Sequence, residues 1–223
     1  MSQEPITTSK AIHRRAGTTF YVATRLLPAR VREPTYVLYA FFRIADEVGD
    51  QSDPPPAEIQ REKLEAIRRA AKGESFDASL LSEEDRAVLE GFRSLAQQES
   101  FDPAEIDIFI DAMVRDIDRT RYESFEELRS YMRGSAAAVA NMMLTVMDPD
   151  QRDQAEPHAR SLAEAFQLTN FVRDVREDIS EYDRVYLPTE TLDRFGVSED
   201  HLRHGRTTED VAAVIRTELQ RTE

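Results

Sequence analysis

Apolar residues recur along this chain at intervals of three and four, and no run alternates with period two for long enough to build a sheet. Its 223 residues are sufficient for one sizeable helical core. Thr35 to Val48 carries Val37, Leu38, Phe41, Ile44, Ala45 and Val48 on this spacing, and Asp53-Pro54-Pro55-Pro56 breaks it. Ala57 to Lys72 follows with Ile59, Leu64, Ile67 and Ala71, and Gly73 is placed to end that helix. Ser82-Glu83-Glu84-Asp85 reads as a capping box before Val88, Leu89, Phe92 and Leu95. Asp102-Pro103 supplies an N-cap and an N1 proline to a helix through Ile106, Phe109, Ile110, Met113 and Ile117. Ser124-Phe125-Glu126-Glu127 predicts a second capping box, opening a helix through Leu128, Tyr131, Met132, Ala138, Val139, Met142 and Met143. Ser161 to Ile179 continues the pattern, and a last helix-like run covers Glu209 to Gln220. Internal repeats are absent. The predicted class is all-α, with residues 1–223 in a single helical bundle.

Composition narrows the function. There is no cysteine, which excludes disulfide scaffolds and thiolate metal sites. His13, His158, His201 and His204 form no H-x-x-x-H pair, so zinc hydrolysis is not expected. A net charge of −14 argues against nucleic acid as a partner. Only Lys10, Lys63 and Lys72 are lysine, and acid excess with so little lysine fits a salt-loaded cytoplasm, where screening relieves self-repulsion. No run of about 18 apolar residues exists to cross a membrane. Met1-Ser2-Gln3-Glu4-Pro5 lacks the basic and apolar regions of a signal peptide, and the expected location is cytoplasmic.

Two helices break the amphipathic rule. Apolar residues wrap most of the way round Thr35–Asp50, and Gly134 to Met147 is small and apolar throughout its first turns. Helices of this kind are buried, and small residues there permit either close helix approach or space for a ligand.

Within these apolar walls lie pairs of acids. Asp46 and Asp50, and Asp174 and Asp178, are each four residues apart, which puts both carboxylates on one helical face. Spacing alone does not separate them from Asp107 and Asp111. Context does: the first two pairs sit among apolar residues, with Arg43 one turn before Asp46 and Arg173 beside Asp174. Acids in an apolar wall have raised pKa values and call for cations. Gln167, Asn170 and Asp174 extend the second pair into a polar stripe, expensive to bury without a function. Two such pairs facing each other suit divalent cations holding a diphosphate, because Mg²⁺ prefers a few carboxylates plus phosphate oxygens.

The words around these acids are familiar. Tyr39-Ala40-Phe41-Phe42-Arg43-Ile44-Ala45-Asp46-Glu47-Val48-Gly49-Asp50 resembles the first aspartate-rich motif of the squalene/phytoene synthase family. Ala165 to Asp178, followed by Asp183-Arg184-Val185-Tyr186-Leu187-Pro188, resembles the second. Thr19-Phe20-Tyr21-Val22-Ala23 with Leu26-Leu27-Pro28 is similar to its N-terminal serine-phenylalanine segment, and Phe125-Glu126-Glu127-Leu128 with Tyr131 to its mid-chain helix opening. The four occur in order between Thr18 and Gly196.

The resemblance implies an isoprenoid synthase fold around a central cavity, and head-to-head joining of two prenyl diphosphates through a cyclopropylcarbinyl diphosphate. It implies Asp46, Asp50, Asn170, Asp174 and Asp178 as ligands of Mg²⁺ or Mn²⁺, with the four aspartates catalytic. Thr19, Phe20, Arg43, Gln167, Asn170, Arg173 and Arg184 would contact substrate, and Tyr39 and Tyr186 would act on cationic intermediates through their ring faces. Glu47 stands where many relatives have aspartate, Thr19 replaces serine, and the family continues past Glu223 with further helices. The substrate expected is geranylgeranyl diphosphate, giving phytoene. The alternatives are farnesyl diphosphate with a squalene or dehydrosqualene product, or a non-catalytic assembly protein. A terpene cyclase or head-to-tail elongator fits the second motif poorly. An apolar product predicts peripheral contact with a membrane surface.

Overall fold

The computed structural model describes residues 3–51, 54–205 and 208–222. Met1, Ser2, Asp53 of the predicted break, and Glu223 lie outside the described residues. The described residues form α-helices α1 (Gln3–Ala16), α2 (Thr18–Thr24), α3 (Ala29–Asp46), α4 (Ala57–Lys72), α5 (Glu83–Gln98), α6 (Pro103–Asp118) and α7 (Phe125–Met132). They continue with α8 (Val139–Met147), α9 (Arg152–Glu181), α10 (Thr189–Arg194), α11 (Glu199–Arg203) and α12 (Glu209–Gln220). A 3₁₀ turn, Ala78–Leu80, precedes α5, and a π-helical segment, Arg133–Ala138, joins α7 to α8. Among the described residues the sole β contact is an isolated parallel bridge between Arg121 and Val185.

Local chemistry explains most boundaries. Ser82 and Asp85 form the reciprocal capping box at α5, and Asp102 accepts from the Ala104 amide at α6. Gly73 ends α4 in the left-handed conformation, φ 77°. At α7 only half of the predicted box forms. The Ser124 hydroxyl accepts from the Glu127 amide, whereas the Glu127 carboxylate takes the amide of Glu123 at 2.8 Å.

Two helices begin earlier than their apolar periodicity. α3 starts after Pro28, with Pro34 inside it, because the turn before Pro34 contributes Val31 alone to the core. α9 starts at Arg152, with Pro157 inside it, on a polar stretch held in part by the Glu156–Arg160 pair. α1 has no apolar stripe to read. Its buried face is Pro5, Ser9, Ile12 and His13, two of them polar.

The main core lies between α3, α5 and α6, where Phe41 stacks on Phe92 at 3.7 Å and Phe109 tilts against Phe41 at 5.6 Å. A second core of Ile179, Val185, Leu187, Leu192, Val197, Leu202 and Val214 packs α10–α12 on the C-terminal end of α9. α9 therefore spans both cores and brings the second aspartate pair between them. No helix among the described residues is long and apolar enough to cross a membrane.

The small residues of the Gly134–Met147 stretch serve helix packing where they meet α6. A Cβ on Gly134 would lie 2.5 Å from the Ile108 carbonyl oxygen and 2.6 Å from the Ala112 methyl. α6 approaches as closely as it does because that carbon is missing. Gly134→Ala is expected to destabilise the fold by about 1–3 kcal/mol through overpacking. Thermal unfolding should register this as a lower melting temperature. An unchanged melting temperature would show that the two helices part without cost.

Candidate active site

α3 ends at Asp46, and the chain continues through one more turn in which the Asp50 amide donates to the Asp46 carbonyl at 3.3 Å. The two carboxylates thus keep the one-turn spacing although the regular helix has stopped. Arg43 holds both acids that follow it, with Nη1 3.0 Å from Asp46 and Nε 2.8 Å from Glu47. Arg184 holds Asp50: Nη1 donates to the carboxylate at 2.6 Å and Nη2 to the Gly49 carbonyl at 3.2 Å. Gly49 leaves room for this, since a Cβ there would lie 3.0 Å from Arg184 Nη2.

Arg184 comes from the segment after α9. That segment is tied to the α6–α7 connection by the Val185 amide on the Thr120 carbonyl at 2.8 Å and the Thr189 amide on the Tyr122 carbonyl at 2.9 Å. The Arg184 side chain is 9% exposed. Burial opposes its charge, but Tyr186, Asp116 and Asp50 around it reverse that effect and hold it protonated.

On α9, Arg173 forks onto its neighbour Asp174 with two bonds of 2.6 Å. Asp178 is pushed up to about 7 by burial, then by the charges of Asp174 and Asp50. Asp46 is raised as well, by burial and then by Asp50. The charge of Asp50, in the turn after α3, therefore reaches Asp178 on α9. Asp46 lies deep in the protein yet keeps 44% of its side chain accessible, and Asp174 keeps 31%. Groups both surrounded and reachable mark the space between the two acidic pairs as a candidate cleft. Gln167 and Asn170 are half-buried on the same helix, and neither side-chain amide has a hydrogen-bond partner among the described residues. Both can still meet a ligand.

A third element contributes Asp116 of α6. Tyr131 donates to its Oδ2 at 2.6 Å, and Tyr186 reaches Oδ1 at 3.4 Å. Burial raises this carboxyl to about 7 against the pull of Arg184 and the Tyr131 hydroxyl, with Asp50 adding to the rise. Burial also lifts the Tyr131 and Tyr186 phenols well above 10, so both remain neutral donors. Neither Asp116 nor Tyr131 stands among the sequence-derived site residues. The available signal was an acid continuing the Ile106, Phe109, Met113 stripe at a position that should be apolar.

The aromatic residues sit at the margin. Tyr39 stacks on buried His13 at 3.9 Å, and Tyr186 stacks on Phe171 at 4.2 Å, so one face of each ring is already covered. Thr19 and Phe20 are exposed on α2, Phe20 by 63%, and neither is bonded to the aspartate cluster. Two cavities lie elsewhere. One of about 570 Å³ lies between α6 and α7, and another of about 190 Å³ is lined by Glu105, Asn141 and Arg160; neither contains the four motif aspartates.

Among the described residues, no three acidic or histidine side chains are close enough to hold an ion alone. Facing carboxylates in twos fit a hard dication that completes its shell with water and phosphate oxygens.

Asp116 has a consequence for stability. The folded carboxyl keeps its proton to about pH 7, whereas an ordinary aspartate releases it near 3.8. Its contribution is therefore complete below pH about 4 and lost as pH rises through about 7. Asp116→Asn, which keeps an acceptor for Tyr131, should flatten the fall in melting temperature between these pH values. Parallel wild-type and variant profiles would contradict the assignment.

A family model for squalene/phytoene synthase matches residues 13–223. The chain is 31% identical over 217 residues to the 15-cis-phytoene synthase of Synechocystis sp., covering 91% of this chain and 61% of that protein. It is 34% identical over 191 residues to the phytoene synthase of Mycobacterium tuberculosis, covering 85% and 59%. The chain thus spans about three fifths of the length of these relatives. Among solved structures, squalene synthase HpnC from Alicyclobacillus acidocaldarius superposes with a TM-score of 0.77 at 25% identity, over 98% of this chain and 79% of that one. A dehydrosqualene synthase superposes with a TM-score of 0.82 at 24% identity, over 99% and 74%, a likeness of fold. With the family model spanning both aspartate pairs and the helices that present them, the chain belongs to the squalene/phytoene synthase family.

Proposed function

We propose that this cleft joins two molecules of geranylgeranyl diphosphate head to head to give phytoene, in the cytoplasm of a salt-adapted cell. The observation that carries the reading is the 2.6 Å bond from Arg184, in the segment after α9, to Asp50, in the turn after α3; with Asp50 also among the charges that raise Asp178, it supports one site for both acidic pairs. The phytoene synthases of Synechocystis sp. and Mycobacterium tuberculosis among its relatives favour the geranylgeranyl substrate.

The chemistry required is ionisation of an allylic diphosphate. The C–O bond of one substrate breaks, diphosphate leaves, and C1 bonds to the C2–C3 double bond of the second with loss of a proton. The resulting cyclopropylcarbinyl diphosphate ionises in turn, rearranges and loses another proton, so two diphosphates and two protons are released. Mg²⁺ or Mn²⁺, when bound by Asp46, Asp50, Asn170, Asp174 and Asp178, supplies positive charge to the departing diphosphate. Arg43, Arg173 and Arg184 would add hydrogen bonds to its oxygens, a role that the planar guanidinium suits. Gln167 and Asn170 offer free amides on the same wall. Asp116 fixes the Tyr131 hydroxyl and takes a longer bond from Tyr186, so both rings stand against the cluster as neutral groups. Aromatic faces and apolar walls stabilise a carbocation and keep water from it.

The test is incubation of the purified chain with Mg²⁺ at high salt, with and without NADPH as hydride donor, and either geranylgeranyl or farnesyl diphosphate. Phytoene is the expected product. A squalene or dehydrosqualene product from farnesyl diphosphate would reassign the substrate, and a cyclic or linear terpene would overturn head-to-head coupling. No turnover by a folded chain would assign it a non-catalytic role. Asp174→Ala should reduce turnover about a hundredfold or more with an unchanged helical signal, the scale on which lost leaving-group stabilisation is felt. Retained activity would remove Asp174 from the site.

A further inference from the structure

The buried face of α1 holds a histidine that makes no use of its polarity. His13 is 1% exposed, and neither ring nitrogen has a hydrogen-bond partner among the described residues. The Ser9 hydroxyl, one turn earlier on the same face, is enclosed and unpartnered as well. A buried polar group without a partner is a net cost to the fold, and an apolar side chain would avoid it. The contribution of His13 therefore lies in what its ring touches.

It touches three tyrosines. The imidazole lies 6° from the plane of Tyr39 with ring centres 3.9 Å apart, while Tyr21 and Tyr36 stand edge-on to it at 5.8 and 5.6 Å. The two edges hold the imidazole in place, and the imidazole covers one face of Tyr39. The far end of Tyr39 is held too. The chain leaves α1 at Gly17, whose amide donates to the His13 carbonyl at 3.0 Å. A Cβ on Gly17 would collide with the Tyr39 hydroxyl and lie 2.7 Å from the ring carbon that bears it. The end of α1 is thus a cradle in which His13 backs the ring and Gly17 leaves room for its hydroxyl.

Tyr39 lies on α3 one turn before Arg43, whose guanidinium bonds to Asp46 and Glu47. The charges of these three residues act on the Tyr39 hydroxyl, and the ring is only partly buried. One face is pressed on α1 while the remainder stands beside the first acidic pair. We propose that His13 is the positioning residue of Tyr39, fixing the face that this ring turns to the cation formed in the cleft; the role rests on the head-to-head reading above. The ring face of His13 does this, and its nitrogens do not. Burial lowers His13 to about 4, so the backing plate is neutral at ordinary pH. A charged imidazole behind Tyr39 would oppose a carbocation in front of it, whereas a neutral one leaves the exposed face attractive to positive charge.

Steady-state kinetics with geranylgeranyl diphosphate and Mg²⁺ test this on variants shown by circular dichroism to be folded. His13→Ala should lower kcat about tenfold, the scale of one well-aligned cation–π contact, and leave KM within about twofold. His13→Phe keeps a flat ring behind Tyr39 and should recover most of the rate. Gly17→Ala, which displaces the Tyr39 hydroxyl by a separate route, should lower kcat as well, and it carries the test if His13→Ala does not fold. Added to Tyr39→Leu, His13→Ala should have no further effect. An unchanged kcat in His13→Ala overturns the proposal. So does a His13→Phe chain as slow as His13→Ala, or a double variant in which the two losses add. Crystals of the His13→Ala chain give a readout free of turnover: the Tyr39 ring should leave its wild-type rotamer, and a ring left in place overturns the proposal. A wild-type chain that makes no prenyl product fails the head-to-head reading instead, and the crystals still decide whether His13 positions Tyr39.

Discussion

The bond between Arg184 and Asp50 is the interaction on which the rest of the site depends. Asp50 belongs to the turn that leaves α3, and Arg184 to the segment that leaves α9, so one buried ion pair of 2.6 Å joins the two acidic motifs. Removing Arg184 would leave the Asp50 carboxylate without its ion-pair partner, which in a buried pair costs about 3–5 kcal/mol. Without Arg184, Asp50 would face Asp46, Asp116 and Asp178 with Arg43, bonded to Asp46 at 3.0 Å, as the nearest fixed cation. The repulsion felt by these four is the reason that the cleft suits added cations. Arg184 ties the two motifs together while Arg43 and Arg173 each hold acids of one motif, and the remaining carboxylate charge is left for a ligand.

That economy explains the division of the molecule into two cores. The aromatic core of α3, α5 and α6 positions Asp46, Asp50 and Asp116. The smaller core of α10–α12 anchors the end of α9 and the segment carrying Arg184 and Tyr186. α9 passes through both, and Asp178 near its C-terminal end feels the charge of Asp50 from the turn after α3. The raised pKa values of Asp116 and Asp178 follow from burial first and from like charge second. These groups are costly to the fold in the absence of cations, a stability–function compromise common at binding sites.

Helices with a local chemical signal were legible in the sequence, and so were the aspartate pairs. Ser82 with Asp85, Asp102 with Pro103, and Gly73 each act within a single turn, so their neighbours in sequence decide the outcome. α1 was not legible because Ser9 and His13 occupy its buried face, and no stripe of apolar residues announces it. The early starts of α3 and α9 were hidden by prolines inside the helix, which the surrounding packing tolerates. The π segment at Arg133–Ala138 is a response to the close approach of α6 at Gly134, a contact distant in sequence. Asp116 was missed for a related reason: its partners Tyr131, Tyr186 and Arg184 lie 15, 70 and 68 residues away. Residue spacing identifies acids that share a helix. It cannot say which acid from another helix completes the cluster.

The most direct test of the account is the position of the cations themselves. Crystals of the chain grown with Mn²⁺ and an unreactive prenyl thiodiphosphate should show anomalous scattering peaks in the cleft, beside Asp46 and Asp50 and beside Asp174 and Asp178. The thiodiphosphate should bridge them, within bonding distance of at least one of Arg43, Arg173 and Arg184. Peaks confined to other acidic surfaces, with the cleft empty of manganese and diphosphate, would contradict the claim that the two motifs make one site.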